Sequence, residues 1–419
     1  MNNRIAKFHW MQLLVLAGAH FVIDLFAGMP PAILPAILDN FALSLSQGSF
    51  VLVALYLVCN GVQVFTGHLR SGKRQPLLLH IGLLLGSGIC LLNLLPRGAG
   101  ALPAMILLAI FSGVGIAFVH PEGLRGVHRL KHISPAVSTA VFMAGGFLGY
   151  ASGGAISAFL VSHFGFRGLY PLIICSVVAI VLVILLKVRL AIEPGNEGRA
   201  PNRPSSPCFR RGEPVPAKAG IPRPSLPFWL IFTMAMPAAV STTILSILLP
   251  TALHELGFEL TFGGFSTTMF GLGGAAGSFV WAYLARKRGE LSCAITSLFL
   301  NLPFLLAYLL LRQYRAAIWI LLAIGFCTVS AYTLMITLSR HATGPTLGQR
   351  LGIMVGGTWA LAYIFFMALP LVAEHFHLGT NAILNLTPWG YLISGILGIL
   401  VTKRMNRLAC AASELSELK

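Results

Sequence analysis

Two short stretches hold the side chains best able to do chemistry. "AHFVIDLFAG" (19–28) sets His20 and Asp24 four positions apart in an otherwise apolar run. "HPEG" (120–123) sets His120 two residues ahead of Glu122, with Arg125 just beyond. Residues i and i+4 share one face of a helix, so an imidazole and a carboxylate would meet at the first stretch. Imidazole changes charge near neutral pH. Burial and a neighbouring imidazolium act on a carboxylate's proton affinity in opposite senses. Such a group can load and unload a proton as its access to water changes. It can also hold a polar substrate, or simply tie two helices together.

The elements that must position these residues follow from composition. Of 419 residues, 56% are hydrophobic and 10% charged, against about 25% charged in a soluble protein. So few charges exclude a water-soluble globule. Apolar runs near 20 residues recur along the chain and read as membrane-spanning helices. The 44 glycines suit close helix packing in lipid. The seven cysteines form no CxxC pair and no metal-ligand spacing, so neither a metal site nor any other cofactor is expected. No GxxxxGK[ST] pattern occurs, which excludes ATP as the direct energy source. No nucleophile–base pair supports an enzyme. Arg4 and Lys7 precede an apolar run that is too long for a signal peptide and lacks a cleavage site. It reads as the first permanent span.

The expected fold is an all-α polytopic membrane protein with twelve transmembrane helices. The spans fall near 10–38, 48–69, 76–96, 102–124, 134–162, 168–190, 227–254, 262–285, 290–311, 315–339, 348–374 and 382–402. With the N-terminus inside, all of the 29 lysines and arginines except Arg97, Arg167, Arg312 and Arg315 fall in cytoplasmic loops or tails, as positive-inside topology requires. That distribution accounts for the net charge of +17 through topology and anionic lipid headgroups, without nucleic acid. Trp10, Trp229, Trp281, Trp319 and Trp389 fall near span ends, where interfacial aromatics belong. Residues 192–226 are rich in Pro, Arg, Ser and Gly and read as a cytoplasmic linker. The chain thus divides into a six-helix bundle (1–191), the linker, a second six-helix bundle (227–404) and a cytoplasmic tail (405–419).

The two bundles echo each other. "FTGHLRSGKR" (65–74) pairs with "FVWAYLARKRG" (279–289), "AGGFLG" (144–149) with "VGGTWA" (355–360), and "ILPAIL" (33–38) with "ILLPTAL" (247–253). Two pseudo-repeated bundles with a site between them at mid-membrane form a known transporter construction.

Four stretches carry a resemblance to a known family. They are "AHFVIDLFAGMPPAILPAILDNFALSLSQ" (19–47), "GHLRSGKRQPLLLHIG" (67–82), "GVGIAFVHPEGLR" (113–125) and "STAVFMAGGFLGYASGGAIS" (138–157). With six plus six spans, a basic loop after span two and a long central linker, the chain resembles the major facilitator superfamily, and within it the fosmidomycin-resistance group of bacterial efflux proteins. The resemblance is in motifs over residues 15–160 and architectural beyond. Two positions depart from the superfamily's pattern. Ser71, or Leu69 in a shifted register, stands where the loop after span two normally has an Asp, and Gly153-Gly154 stands where antiporters have Gly-Pro.

The resemblance implies a secondary active transporter in a bacterial inner membrane with both termini cytoplasmic. Proton-coupled efflux of a small molecule or drug by alternating access is the expected activity, with the proton gradient as energy source and a monomer in the lipid bilayer as the working unit. The alternatives are carriage of a metabolite such as a siderophore on the same fold, and a non-transporting membrane receptor. The resemblance places spans one and four on the central cavity, so His20, Asp24, His120 and Glu122 would converge there, with Arg125 near Glu122. A charged Asp at that depth costs about 3 kcal/mol on insertion scales, whereas a hydrogen bond between helices in lipid is worth about 0.6 kcal/mol. A purely structural role therefore explains Asp24 poorly. Trp359 and Tyr363, four residues apart in span eleven, and Asn60 and Gln63 in span two are candidate pocket residues. Gly145, Gly146, Gly149, Gly153 and Gly154 would allow close approach and rocking of span five. Arg70, Lys73 and Arg74 form the expected cytoplasmic gating loop.

Overall fold

The computed structural model describes residues 2–69, 73–133, 135–192 and 226–417. Among the described residues the helices group into twelve segments. They are α1 (Asn2–Phe41), α2 (Leu45–Leu69), α3 (Leu77–Gly86, continued by a 3-10 segment Ser87–Leu94), α4 (Ala101–His128), α5 (Pro135–Phe164) and α6 (Pro171–Leu185), then α7 (Phe228–Glu255), α8 (Leu260–Arg288), α9 (Glu290–Leu311) and α10 (Ile320–Arg340). The eleventh, α11, joins Leu347–Gly352, a π-helical turn Ile353–Gly357 and Thr358–His375. The last, α12, runs Thr387–Glu417 after a short turn of helix at Thr380–Leu384. Ten of these are long and apolar enough to cross a membrane. Of the other two, α6 is shorter, and α8 carries Gly, Ser and Thr where its neighbours carry aliphatic residues. The linker residues 193–225 and Arg70 lie outside the described residues.

The repeat is carried by the packing. In the first half, α1 packs on α5 and α6, and α4 on α2 and α3; in the second, α7 packs on α11 and α12, and α10 on α8 and α9. The halves meet through α5 on α8, α2 on α11 and α1 on α7. Large apolar side chains such as Leu107, Ile184, Leu310 and Phe365 remain exposed, which suits a lipid-facing surface. Trp10, Trp229, Trp319 and Trp389 are exposed as interfacial residues should be. Trp281 differs from that expectation. It is buried and packs near Phe326, ring centroids 6.2 Å apart, because its face of α8 turns toward α10.

Glycine makes a close approach of α1 and α5 possible. Gly145, Gly149 and Gly153 recur every four residues along α5, against the carbonyls of Ala17, Phe21 and Leu25, also four apart on α1. No Cβ fits between backbones at that distance. Gly154, one position on, faces Thr267 and Gly264 of α8 in the other half. The echoed glycines of "VGGTWA" make no such stripe. They lie in the π-helical turn of α11, where Thr358 donates to the Ile353 carbonyl at 3.2 Å and the Tyr332 hydroxyl donates to the Met354 carbonyl.

The hydrogen bonds and ion pairs that join the halves among the described residues lie from mid-height to the end where α1 and α7 finish. There Ser46 donates its N–H and its hydroxyl to the two oxygens of Glu374, at 2.7 and 2.6 Å. His254 lies 3.8 Å from Asp39, and at mid-height Thr268 donates to the Ala151 carbonyl.

Candidate functional site

Asp24 sits between two histidines. One oxygen, Oδ2, lies 3.2 Å from His20 Nε2 on its own helix. The other, Oδ1, lies 3.0 Å from His120 Nε2 on α4. The imidazoles stand at 90° to each other with centroids 5.0 Å apart. His20 also stacks on Phe142 of α5, centroids 4.1 Å apart, and is almost fully buried at 3% side-chain exposure. Asp24 and His120 are 17% and 22% exposed. The cluster is thus walled on the His20 side and accessible on the other.

Each ring's second nitrogen is already committed. His20 Nδ1 lies 2.8 Å from the Phe142 carbonyl, and His120 Nδ1 lies 2.9 Å from the Ile116 carbonyl one turn back on α4. A carbonyl can only accept, so both Nδ1 atoms carry hydrogen, and the tautomer is assigned by the acceptor. Both Nε2 atoms then face Asp24, and each N···O contact is a hydrogen bond only with a proton in it. Two protons fill the two contacts and leave the cluster at net +1. With neither proton it is at −1.

Gly146 provides the room. A Cβ there would lie 2.5 Å from both His20 Nε2 and Asp24 Oδ2. It is one residue past the α1-facing stripe, which aims its empty side at the cluster. Gly146 is therefore more than the helix-packing residue expected from the sequence.

Three of the four expected residues come together; Glu122 stands apart. It is two residues beyond His120, so it points about 200° away around the helix. Its carboxylate is buried and accepts the Leu79 N–H at 2.8 Å, satisfying one of the free amides at the start of α3. Arg125 is buried as well. It donates to the Ala191 carbonyl from Nε and Nη2 at 3.1 and 2.8 Å, and to the Lys73 carbonyl at 2.8 Å. Lys73 and Arg74 are exposed. The Arg74 carbonyl accepts the Leu190 N–H at 2.8 Å. These contacts pin the loop after α2 to the segment that leaves α6. Pro121 leaves the Ala117 carbonyl without its helical donor, and Thr66 of α2 brings its hydroxyl to 3.4 Å from that oxygen.

The candidate pocket residues divide. Tyr363 is buried and stacks on Tyr56 of the other half, centroids 5.1 Å apart and 11° from parallel. Tyr56 donates to the Ala27 carbonyl at 2.7 Å, one turn from Asp24. Trp359 meets Tyr332 edge-on at 4.8 Å. Asn60 donates to the Tyr56 carbonyl at 2.8 Å, and Gln63 is half-buried one turn further along α2. Sequence reasoning missed Tyr56, Tyr150 and Phe142. Tyr150 neighbours Tyr56, Tyr363 and Asp24. A polar aromatic in mid-span was the available signal for Tyr56, whereas nothing in the sequence marked Phe142. The donor set of the cluster, two imidazoles and one carboxylate, could hold a metal ion, although the spacing along the chain shows no metal pattern.

The sequence profile of the Major Facilitator Superfamily matches residues 16–356. The chain belongs to the major facilitator superfamily. A crystal structure of a bacterial homolog of the human lysosomal transporter Spinster, in an inward-facing and unoccupied conformation, superposes on it with a TM-score of 0.62. That comparison covers 94% of this chain and 98% of the other at 13% identity, a likeness of fold. An uncharacterized MFS-type transporter of Bacillus subtilis (strain 168), YfnC, is 24% identical over 153 residues, which span 36% of this chain and 37% of that protein. The His–Asp–His cluster lies within the matched major facilitator region, on two helices of the first bundle.

Proposed function

We propose that this protein is a proton-coupled secondary transporter that exports a small molecule across a bacterial inner membrane, with its basic end in the cytoplasm. The observation that carries the reading is the pair of Nε2···Asp24 contacts, each able to hold one exchangeable proton. Asp24 and His120 keep partial access, which lets protons exchange as the accessible side changes. The location of the bonds joining the halves supports a conformation closed at the far end and open toward the basic end. The tyrosine stack between Tyr56 and Tyr363 links the proton site to the second bundle, so filling the site would bias the relation of the halves. One proton crossing 100 mV gains about 2.3 kcal/mol, which sustains a substrate gradient of about fifty-fold. The motifs at 19–47 and 113–125 support efflux through their resemblance to the fosmidomycin-resistance group.

The test is purified protein in proteoliposomes with a trapped pH-sensitive dye and a panel of small organic compounds. At least one compound is expected to drive proton movement, and Asp24→Asn is expected to abolish it while leaving folding intact. Equal compound accumulation with and without a pH gradient would remove proton coupling, and unchanged coupled transport in Asp24→Asn would remove Asp24 from the mechanism.

A further inference from the structure

The cluster also has the construction of a transition-metal site. The ligand atoms of His20, Asp24 and His120 all lie within 4.8 Å of one another. Metal–ligand bonds of about 2.1 Å meeting at tetrahedral or octahedral angles set neighbouring ligands about 3.0–3.4 Å apart. The N···O separations are 3.2 Å from His20 to Oδ2 and 3.0 Å from His120 to Oδ1, so the carboxylate would meet the ion between the two rings. The two nitrogens lie within 4.8 Å of each other, and closing that spacing falls on His120, the more exposed ring.

The outer shell is in place too. A metal-binding histidine donates its other N–H to a carbonyl or carboxylate, which fixes the tautomer and aims the free lone pair. Both rings do this, through Phe142 and Ile116. The Phe142 stack and the burial of His20 hold one ligand rigid. The exposed sides of Asp24 and His120 leave coordination positions open to an entering ion and its waters. Imidazole selects zinc and its first-row neighbours, whereas magnesium and calcium prefer oxygen ligands alone.

We propose that His20, Asp24 and His120 bind one divalent transition-metal ion, and that this ion is a cargo of the transport path. The proposal deepens the transporter reading and rests on it for the word cargo; the binding claim rests on the geometry. Each Nε2 coordinates the ion through its lone pair, with Nδ1–H held by its carbonyl, and a proton held in either Nε2···Asp24 contact must leave as the ion enters.

The experiment uses the full chain without a histidine tag, titrated with Zn2+ and separately with Mg2+ by calorimetry. Zn2+ is expected to bind once per chain, and Mg2+ to show no saturable binding. Asp24→Asn and His120→Ala should each weaken Zn2+ binding at least tenfold. Thermal unfolding confirms that each variant is folded, and Gly18→Ala, whose added Cβ meets nothing within 4 Å, should bind as wild type. Proteoliposomes with a trapped zinc-sensitive dye should then fill with Zn2+ faster under a proton gradient. Absence of Zn2+ binding by the folded wild type would overturn the metal proposal and leave the proton reading to the organic-compound assay. Undiminished binding in both folded variants would overturn it as well. Zn2+ binding at the cluster with no flux of Zn2+ would keep the binding site and overturn the claim that the ion is cargo, leaving the transporter reading to the organic-compound assay.

Discussion

Substituting Gly146 by alanine tests the cluster without altering any of its ligands. The added Cβ would lie 2.5 Å from His20 Nε2 and from Asp24 Oδ2. Ordinary contact begins near 3.4 Å, so one side must yield by about 0.9 Å, the difference between these distances. His20 cannot yield easily, being stacked on Phe142 and tied to its carbonyl. Nor can α5 back away without opening the glycine stripe at Gly145, Gly149 and Gly153. The shift therefore falls on Asp24, the more exposed partner, and its 3.2 Å contact with His20 is lost. Overpacking of this kind costs about 1–3 kcal/mol of stability, and a misplacement near 1 Å in a working constellation costs about 100-fold in rate. In proteoliposomes, Gly146→Ala should thus transport about 100-fold more slowly and should bind Zn2+ more weakly, with a modestly lower unfolding temperature. Gly18→Ala is the control, since its Cβ meets nothing within 4 Å. Coupled transport by Gly146→Ala at the rate of Gly18→Ala would refute the reasoning, because the cluster would then not have the geometry described.

Other substitutions probe its surroundings. Glu122→Gln should keep the pH dependence of transport while destabilising the protein by about 0.3–1 kcal/mol, since its amide oxygen can still accept the Leu79 N–H and only the charge at the start of α3 is lost. An altered pH profile in the folded variant would return Glu122 to the proton path. Glu374→Gln removes the charge from an acceptor of two hydrogen bonds across the halves. It should shift the balance toward opening at that end by about tenfold, from about 1.4 kcal/mol of lost interaction, read as faster thiol labelling of a cysteine placed beside Asp39. Unchanged labelling would show that the Ser46–Glu374 contact is no latch. Tyr363→Phe keeps the stack on Tyr56 and should transport nearly as wild type, whereas Tyr363→Ala should lose about 0.5–1.5 kcal/mol of contact between the halves. Equal transport by both would remove that stack from the coupling.

The sequence by itself determined the membrane architecture. Hydrophobic run length and the one-sided placement of lysine and arginine respond to bilayer thickness and surface charge, which act on each segment locally. The same local logic marked Asp24, since an acid deep in an apolar run has few explanations. It marked His20 through the four-residue helical spacing, and "GGFLGYASGG" through the need of close helices for small residues. Tertiary structure decided the rest. His120 and Glu122 of "HPEG" both sit on α4, but only the meeting of α4 with α1 turned His120 toward Asp24 and left Glu122 to the start of α3. Gly145 and Gly146 are indistinguishable in sequence, yet one faces a backbone carbonyl and the other keeps space for two ligands. Which helix faces which, and at what rotation, is set by packing among all twelve helices. A metal-competent donor set assembled from two helices has no signature along one chain.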